Sequence, residues 1–186
     1  MSNFHQNLTQ GSVGKQLIKF GLPFLVANIL QALYSMADMV VVGQFVDDIT
    51  TSRGTAALNI SGQIMMTVTG VIIGLAAGGT VLIAQLVGSG NLKKLSETIG
   101  TFLTAFSIIA IIVTAILYPL TDPLLRLLNT PESAFQGASD YLKISSLGII
   151  FIFGYNALSS ILRGMGDSRR PMFFVLIAAI TNIVLD

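Results

Sequence analysis

Long gaps between charged residues leave this chain few ways to fold. No charge falls between Lys19 and Asp38, between Arg53 and Lys93, or between Glu97 and Asp122, and the stretches Lys143–Arg163 and Arg170–Asp186 are uncharged inside. A helix needs about 20 mostly apolar residues to cross the hydrocarbon core of a bilayer. The gaps therefore predict an all-α polytopic membrane protein. A tail over 1–14 is followed by helices over about 15–46, 55–88, 95–118, 138–163 and 171–186, the last incomplete. The runs are continuously apolar, whereas an outer-membrane barrel alternates in ten-residue units. Of the 186 residues only 10% are charged, against roughly 25% in soluble domains, so the lipid bilayer is the expected partner.

The second gap, 54–92, would make a helix of roughly 57 Å, longer than one upright span. A tilted, projecting helix or two short spans would both fit its length. Charge separates them. With the N-terminus in the cytoplasm and five helices, the inner regions hold Lys15, Lys19, Lys93, Lys94, Arg163, Arg169 and Arg170. The outer regions hold Arg53, Arg126 and Lys143. This is the positive-inside bias, and splitting the second segment would spoil it. The expectation is a multi-pass protein of the inner (cytoplasmic) membrane. From Pro171 to Asp186 the last helix reaches about 24 Å, short of the roughly 30 Å core. The chain therefore reads as the N-terminal part of a longer protein whose C-terminal helices follow.

Several function classes drop away. A net charge of +1 offers no field for nucleic acid. There is no cysteine, and the only histidine, His5, lies in the tail, so neither a cofactor nor a thiolate metal site is expected. No paired catalytic aspartate motif supports an intramembrane enzyme. Gly70, Gly74 and Gly78 stand at four-residue spacing in the second helix, where they would let another helix approach closely, as packing or as a sliding surface. The stretch 119–136, with Pro119, Pro123 and Pro131, could form a short interfacial helix.

Polar groups inside the apolar helices carry the functional signal. Asp38 follows Met36 and Ala37 and precedes Met39–Val42. A carboxylate at that depth costs several kcal/mol unless it is paired, hydrated or protonated. Its alternative is a solvated place at the helix end, beside Gly43, Asp47 and Asp48. Asn182 and Asp186 stand four residues apart, about 400° around a helix, so both fall on nearly the same side. Their oxygens suit a proton or a hard cation such as Na⁺. The alternative is helix–helix hydrogen bonding by Asn182, with Asp186 near the surface. Asp38 lies about 27 Å from Phe20 and Asp186 about 22 Å from Pro171, similar levels if both helices run outward. Tyr34, one turn before Asp38, can offer a phenolic hydroxyl. Asn156 on the fourth helix lies about one turn off that level. Pro23 removes a backbone donor from the first helix and is a candidate for helix bending.

These residues resemble the multidrug and toxic compound extrusion (MATE) transporters. FGLPFLVANILQALYSMADMVVVGQF is similar to that family's first helix, with proline early, aspartate fifteen residues later and V-G after it. LRGMGDSRRPM resembles its cytoplasmic connection between the fourth and fifth helices, and TNIVLD its fifth helix. The order and spacing of all three span nearly the whole chain. The resemblance implies the first five of twelve helices, a truncated N-lobe bundle. It also implies a secondary antiporter that exports organic cations or drugs in exchange for H⁺ or Na⁺. Asp38, Asn182 and Asp186 would form the cation site, with Tyr34 and Asn156 beside it. The connection DDITTSRG at 47–54 departs from the family's shorter, more apolar link. A lipid-linked saccharide flippase of the same superfamily, or a small non-transporting membrane subunit, are the rival readings.

Overall fold

The computed structural model describes residues 12–45 and 48–185. The side chains of Phe24, Tyr34, Ser35, 37–53 and 182–185 lie outside the described residues, as does Asp186. Among the described residues every regular element is a helix: α1 Val13–Phe45, α2 Asp48–Gly88, α3 Leu92–Leu127, α4 Glu132–Gly164 and α5 Arg169–Leu185. Among the described residues four segments are long and apolar enough to cross a membrane: Val13–Leu33, Gly54–Gly88, Leu92–Leu127 and Glu132–Gly164. Large aliphatic and aromatic side chains lie open along them, Phe151 at 80% exposure and Ile144 at 72%. Such surfaces are intolerable in water at this extent and ordinary against acyl chains.

Three connections explain where the helices stop. After α2, Gly90 takes φ 68°, and the amides of Gly90 and Asn91 reach back to the carbonyls of Val87 and Leu86 at 3.1 and 3.3 Å. After α4, Gly166 takes φ 85°, and Gly166 and Asp167 bond to Arg163 and Leu162 at 2.9 and 2.8 Å. Both are Schellman closures, which need a residue tolerant of positive φ. The following side chain caps the next helix. Asn91 Oδ1 accepts from the Lys94 amide, and Asp167 Oδ1 accepts from the amides of Arg169 and Arg170, all at 3.1 Å. After α3 the left-handed residue is Asn129, φ 53°.

The chain divides into two compact units. The first comprises α1, α5, and the parts of α2, α3 and α4 within Gly78–Ile99 and from Leu158 onward. Here α1 packs against α5. The ends of α2 and α4 come together where Thr80 Oγ1 and Ser160 Oγ lie 2.6 Å apart. Gly164 permits that approach, because a Cβ on it would stand 2.8 Å from Ile83 and 2.9 Å from the Thr80 carbonyl oxygen.

The second unit comprises α2 up to Ala77, α3 from Gly100 and α4 up to Ala157. Its core runs through Ile72, Phe106, Leu125, Leu142, Ile149 and Phe153. The rings of Phe106 and Phe153 meet edge to face at 5.5 Å. Hydroxyls tie the helices to α4: Ser61 donates to the Ala138 carbonyl at 3.0 Å and Thr114 to the Ser146 carbonyl at 3.1 Å. Between helices in a bilayer such bonds average about 0.6 kcal/mol.

Two expectations change here. The residues from Pro119 to Leu127 are not a separate interfacial helix but the last turns of α3. They are fastened to α4 by Asp122, which accepts from Ser139 Oγ at 2.5 Å and pairs with Lys143 Nζ at 3.1 Å. Arg126 stacks over the Phe135 ring at 5.2 Å. α3 stays helical there although Pro119 and Pro123 each remove a backbone donor. The second change concerns Gly70, Gly74 and Gly78. A Cβ at any of them would meet nothing within 4 Å, so among the described residues no helix packs on that stripe.

Candidate functional site

The sequence places its candidate cation ligands on two helices, and those two helices pack together. α1 carries Tyr34 and Asp38, α5 carries Asn182, and α1 lies against α5 in the first unit. The side chains of Tyr34, Asp38 and Asn182, and the whole of Asp186, lie outside the described residues. α1 stays helical through the half-buried Pro23, whose missing amide leaves the Lys19 carbonyl without its intrahelical donor. Asn156 sits half-buried on α4 about 12 Å along the axis from Gly164. Its Nδ2 donates to the Ile152 carbonyl of its own helix at 2.8 Å. That bond uses the amide nitrogen and leaves the oxygen as the group suited to a cation.

One constellation escaped the sequence reading. Asp167, singled out there only as part of a family-like turn, is 1% exposed. It caps α5 through Oδ1 while Oδ2 lies 3.2 Å from Arg170 Nε. The D-S-R-R-P spelling was the available signal: a capping aspartate two and three residues before the amides it accepts from, with Pro171 in the first turn. The clamp fixes where α5 starts, and hence the height at which Asn182 stands on it.

The sequence matches the family model MatE over residues 23–186. The chain belongs to the MatE family. Among curated relatives it is 35% identical to "Probable multidrug resistance protein YpnP" of Bacillus subtilis (strain 168), over 96% of this chain and 39% of that protein. It is 33% identical to "Probable multidrug resistance protein NorM" of Thermotoga maritima, over 94% of this chain and 36% of that one. A relative from Shewanella oneidensis, 25% identical, is named "FAD transporter". Among solved structures it is similar to an "Outward-facing conformation of a multidrug resistance MATE family transporter of the MOP superfamily". There the TM-score is 0.87 at 25% identity, covering all of this chain and 40% of that one. This MatE chain thus spans about two fifths of the length of the relatives it matches. The helical bundle expected from the sequence is the MATE fold over that part, and the chain is a multi-pass membrane protein of that family.

Proposed function

We propose that a full-length protein carrying these residues is a secondary antiporter, exporting organic cations or drugs across the cytoplasmic membrane in exchange for H⁺ or Na⁺. The observation that carries this reading is the packing of α1 on α5, the two helices that bear Asp38 and Asn182. Membership of a family whose curated members include multidrug resistance proteins supports the substrate class. In this reading Asp38, Asn182 and Asp186 take up the ion, with Tyr34 and Asn156 as supporting donors. The N-terminus is cytoplasmic, following the positive-inside distribution.

Uptake of a cation neutralises the intramembrane carboxylates and lowers the cost of repacking α1 around them. Pro23 is the place where that helix can bend. Exchange requires the ion and the drug to favour different conformations, since a ligand shifts an equilibrium only by its differential affinity. The remaining helices supply the second moving part that alternating access needs. The relative named as an FAD transporter favours a second reading, in which the same ion site drives export of a larger anionic nucleotide.

Growth of an efflux-deficient bacterium separates these. The full-length wild type should raise tolerance to ethidium or norfloxacin, and Asp38→Asn should abolish it at unchanged membrane abundance. Full tolerance in the mutant would remove Asp38 from coupling. FAD release without drug tolerance would select the second reading.

A further inference from the structure

The α2–α3 and α4–α5 connections share one spelling, G-[N/D]-x-[K/R]-[K/R]: residues 90–94 read GNLKK and residues 166–170 read GDSRR. In each, the glycine closes one helix, the Asn or Asp side chain caps the next, and two cations fall in the new helix's first turn. That is the wrong end for a cation. The helix N-terminus carries the positive pole of the macrodipole, and acids are its favourable occupants. Neither α3 nor α5 has an acid in its first turn, whereas α4, which starts in the second unit, has Glu132 there. Twice over, this end sacrifices helix stability to gather positive charge.

Both connections belong to the first unit, and the ends of α2 and α4 that lead into them are bound through Thr80, Ser160 and Gly164. Lys15, Lys19 and Arg163 lie in the same unit, which therefore holds seven of the ten basic residues. Apart from Asp38 and Asp186, its acids are Glu97 and the buried Asp167, already engaged by the α5 amides and Arg170. Lys93, Lys94 and Arg169 are exposed. Large apolar groups stand open beside them: Leu92 at 73% next to the lysines, Phe173 and Phe174 one turn after the arginines. Cations flanked by open apolar side chains at the ends of membrane-crossing helices stand at headgroup level.

We propose that the twin turns form a docking surface for anionic phospholipid, with headgroup phosphates on Lys93, Lys94 and Arg169 and acyl chains against the apolar residues beside them. Charge complementarity selects an anionic headgroup, and the flanking apolar surface selects a lipid over a free anion. The surface follows from charge and fold, whatever the protein transports.

Retention of lipid by the purified full-length protein tests this, without any transport readout. The protein is equilibrated in mixed phosphatidylglycerol and phosphatidylcholine micelles and the bound lipid is weighed by native mass spectrometry. Wild type should retain phosphatidylglycerol preferentially, and the preference should fall about fivefold for each cation neutralised in Lys93→Gln, Lys94→Gln and Arg169→Gln. Arg170 is left intact because it pairs with Asp167. The double variant Lys93→Gln/Lys94→Gln removes charges opposed to the α3 dipole, so it should fold at least as well as wild type. Lys143→Gln, in the second unit, should leave the preference unchanged. An unchanged preference in the double variant would overturn the proposal. So would an equal loss in Lys143→Gln, or complete displacement by inorganic phosphate at matched ionic strength.

Discussion

A methyl group added at Gly164 would stand 2.8 Å from Ile83 and 2.9 Å from the Thr80 carbonyl oxygen, a backbone atom with little freedom to retreat. Gly164→Ala should therefore destabilise the protein by about 1–3 kcal/mol, the usual cost of overpacking. Gly74→Ala has open space and trades glycine for a better helix former, so it should be neutral or stabilising by up to about 1 kcal/mol. Thermal melting of the two purified variants checks the contrast. Equal losses would mean that the α2–α4 approach at Gly164 is wrong. Asp167→Ala should cost about 1–2 kcal/mol by leaving the Arg169 and Arg170 amides uncapped, and Asp167→Asn should recover most of it. Residue spacing alone pointed to Gly70, Gly74 and Gly78 as the close-contact glycines. Among the described residues the close contact falls at Gly164, because which face of a helix meets a neighbour is a tertiary fact. The capping role of Asp167 was legible in its neighbours, whereas its burial depends on the α4–α5 turn around it.

At the scale of the helix, α2 is two-faced. Ala57, Ser61, Ile72, Ala76 and Ile83 are buried, while Gly70, Gly74 and Gly78 lie open. Bare helix backbone gains little from acyl chains and much from another helix. Gly74→Leu should accordingly leave the α2–α4 packing intact and impair transport in a full-length protein. Wild-type transport with this variant, at normal expression, would show that the face is lipid-exposed. α3 and α4 are joined by polar as well as apolar contacts. Thr114→Val should cost about 0.6 kcal/mol by removing the bond to the Ser146 carbonyl, measured by unfolding in mixed micelles. Helix existence was legible in the charge gaps, because four of the five approach or exceed the length of a span. The extension of α3 through Pro119 and Pro123 was not. It depends on Asp122 and Arg126 finding partners on α4 and on the burial of Leu125, which no local propensity encodes.

For the whole molecule, the fold was readable because a membrane leaves few architectures open and three family-like motifs stand in the right order. The candidate ion site was readable only as chemistry, an acid and an amide at depths where they are costly. The packing of α1 on α5 brings together the two helices that bear Asp38 and Asn182 and so supports the proposed site. The central claim is that this acid couples ion entry to export. It is tested most directly by full-length protein in proteoliposomes, following ethidium efflux under an imposed pH gradient or an imposed Na⁺ gradient, with wild type beside Asp38→Asn. The account predicts that one of the two gradients drives efflux by the wild type and that neither drives it in the mutant. Gradient-driven efflux of equal rate in Asp38→Asn would contradict it.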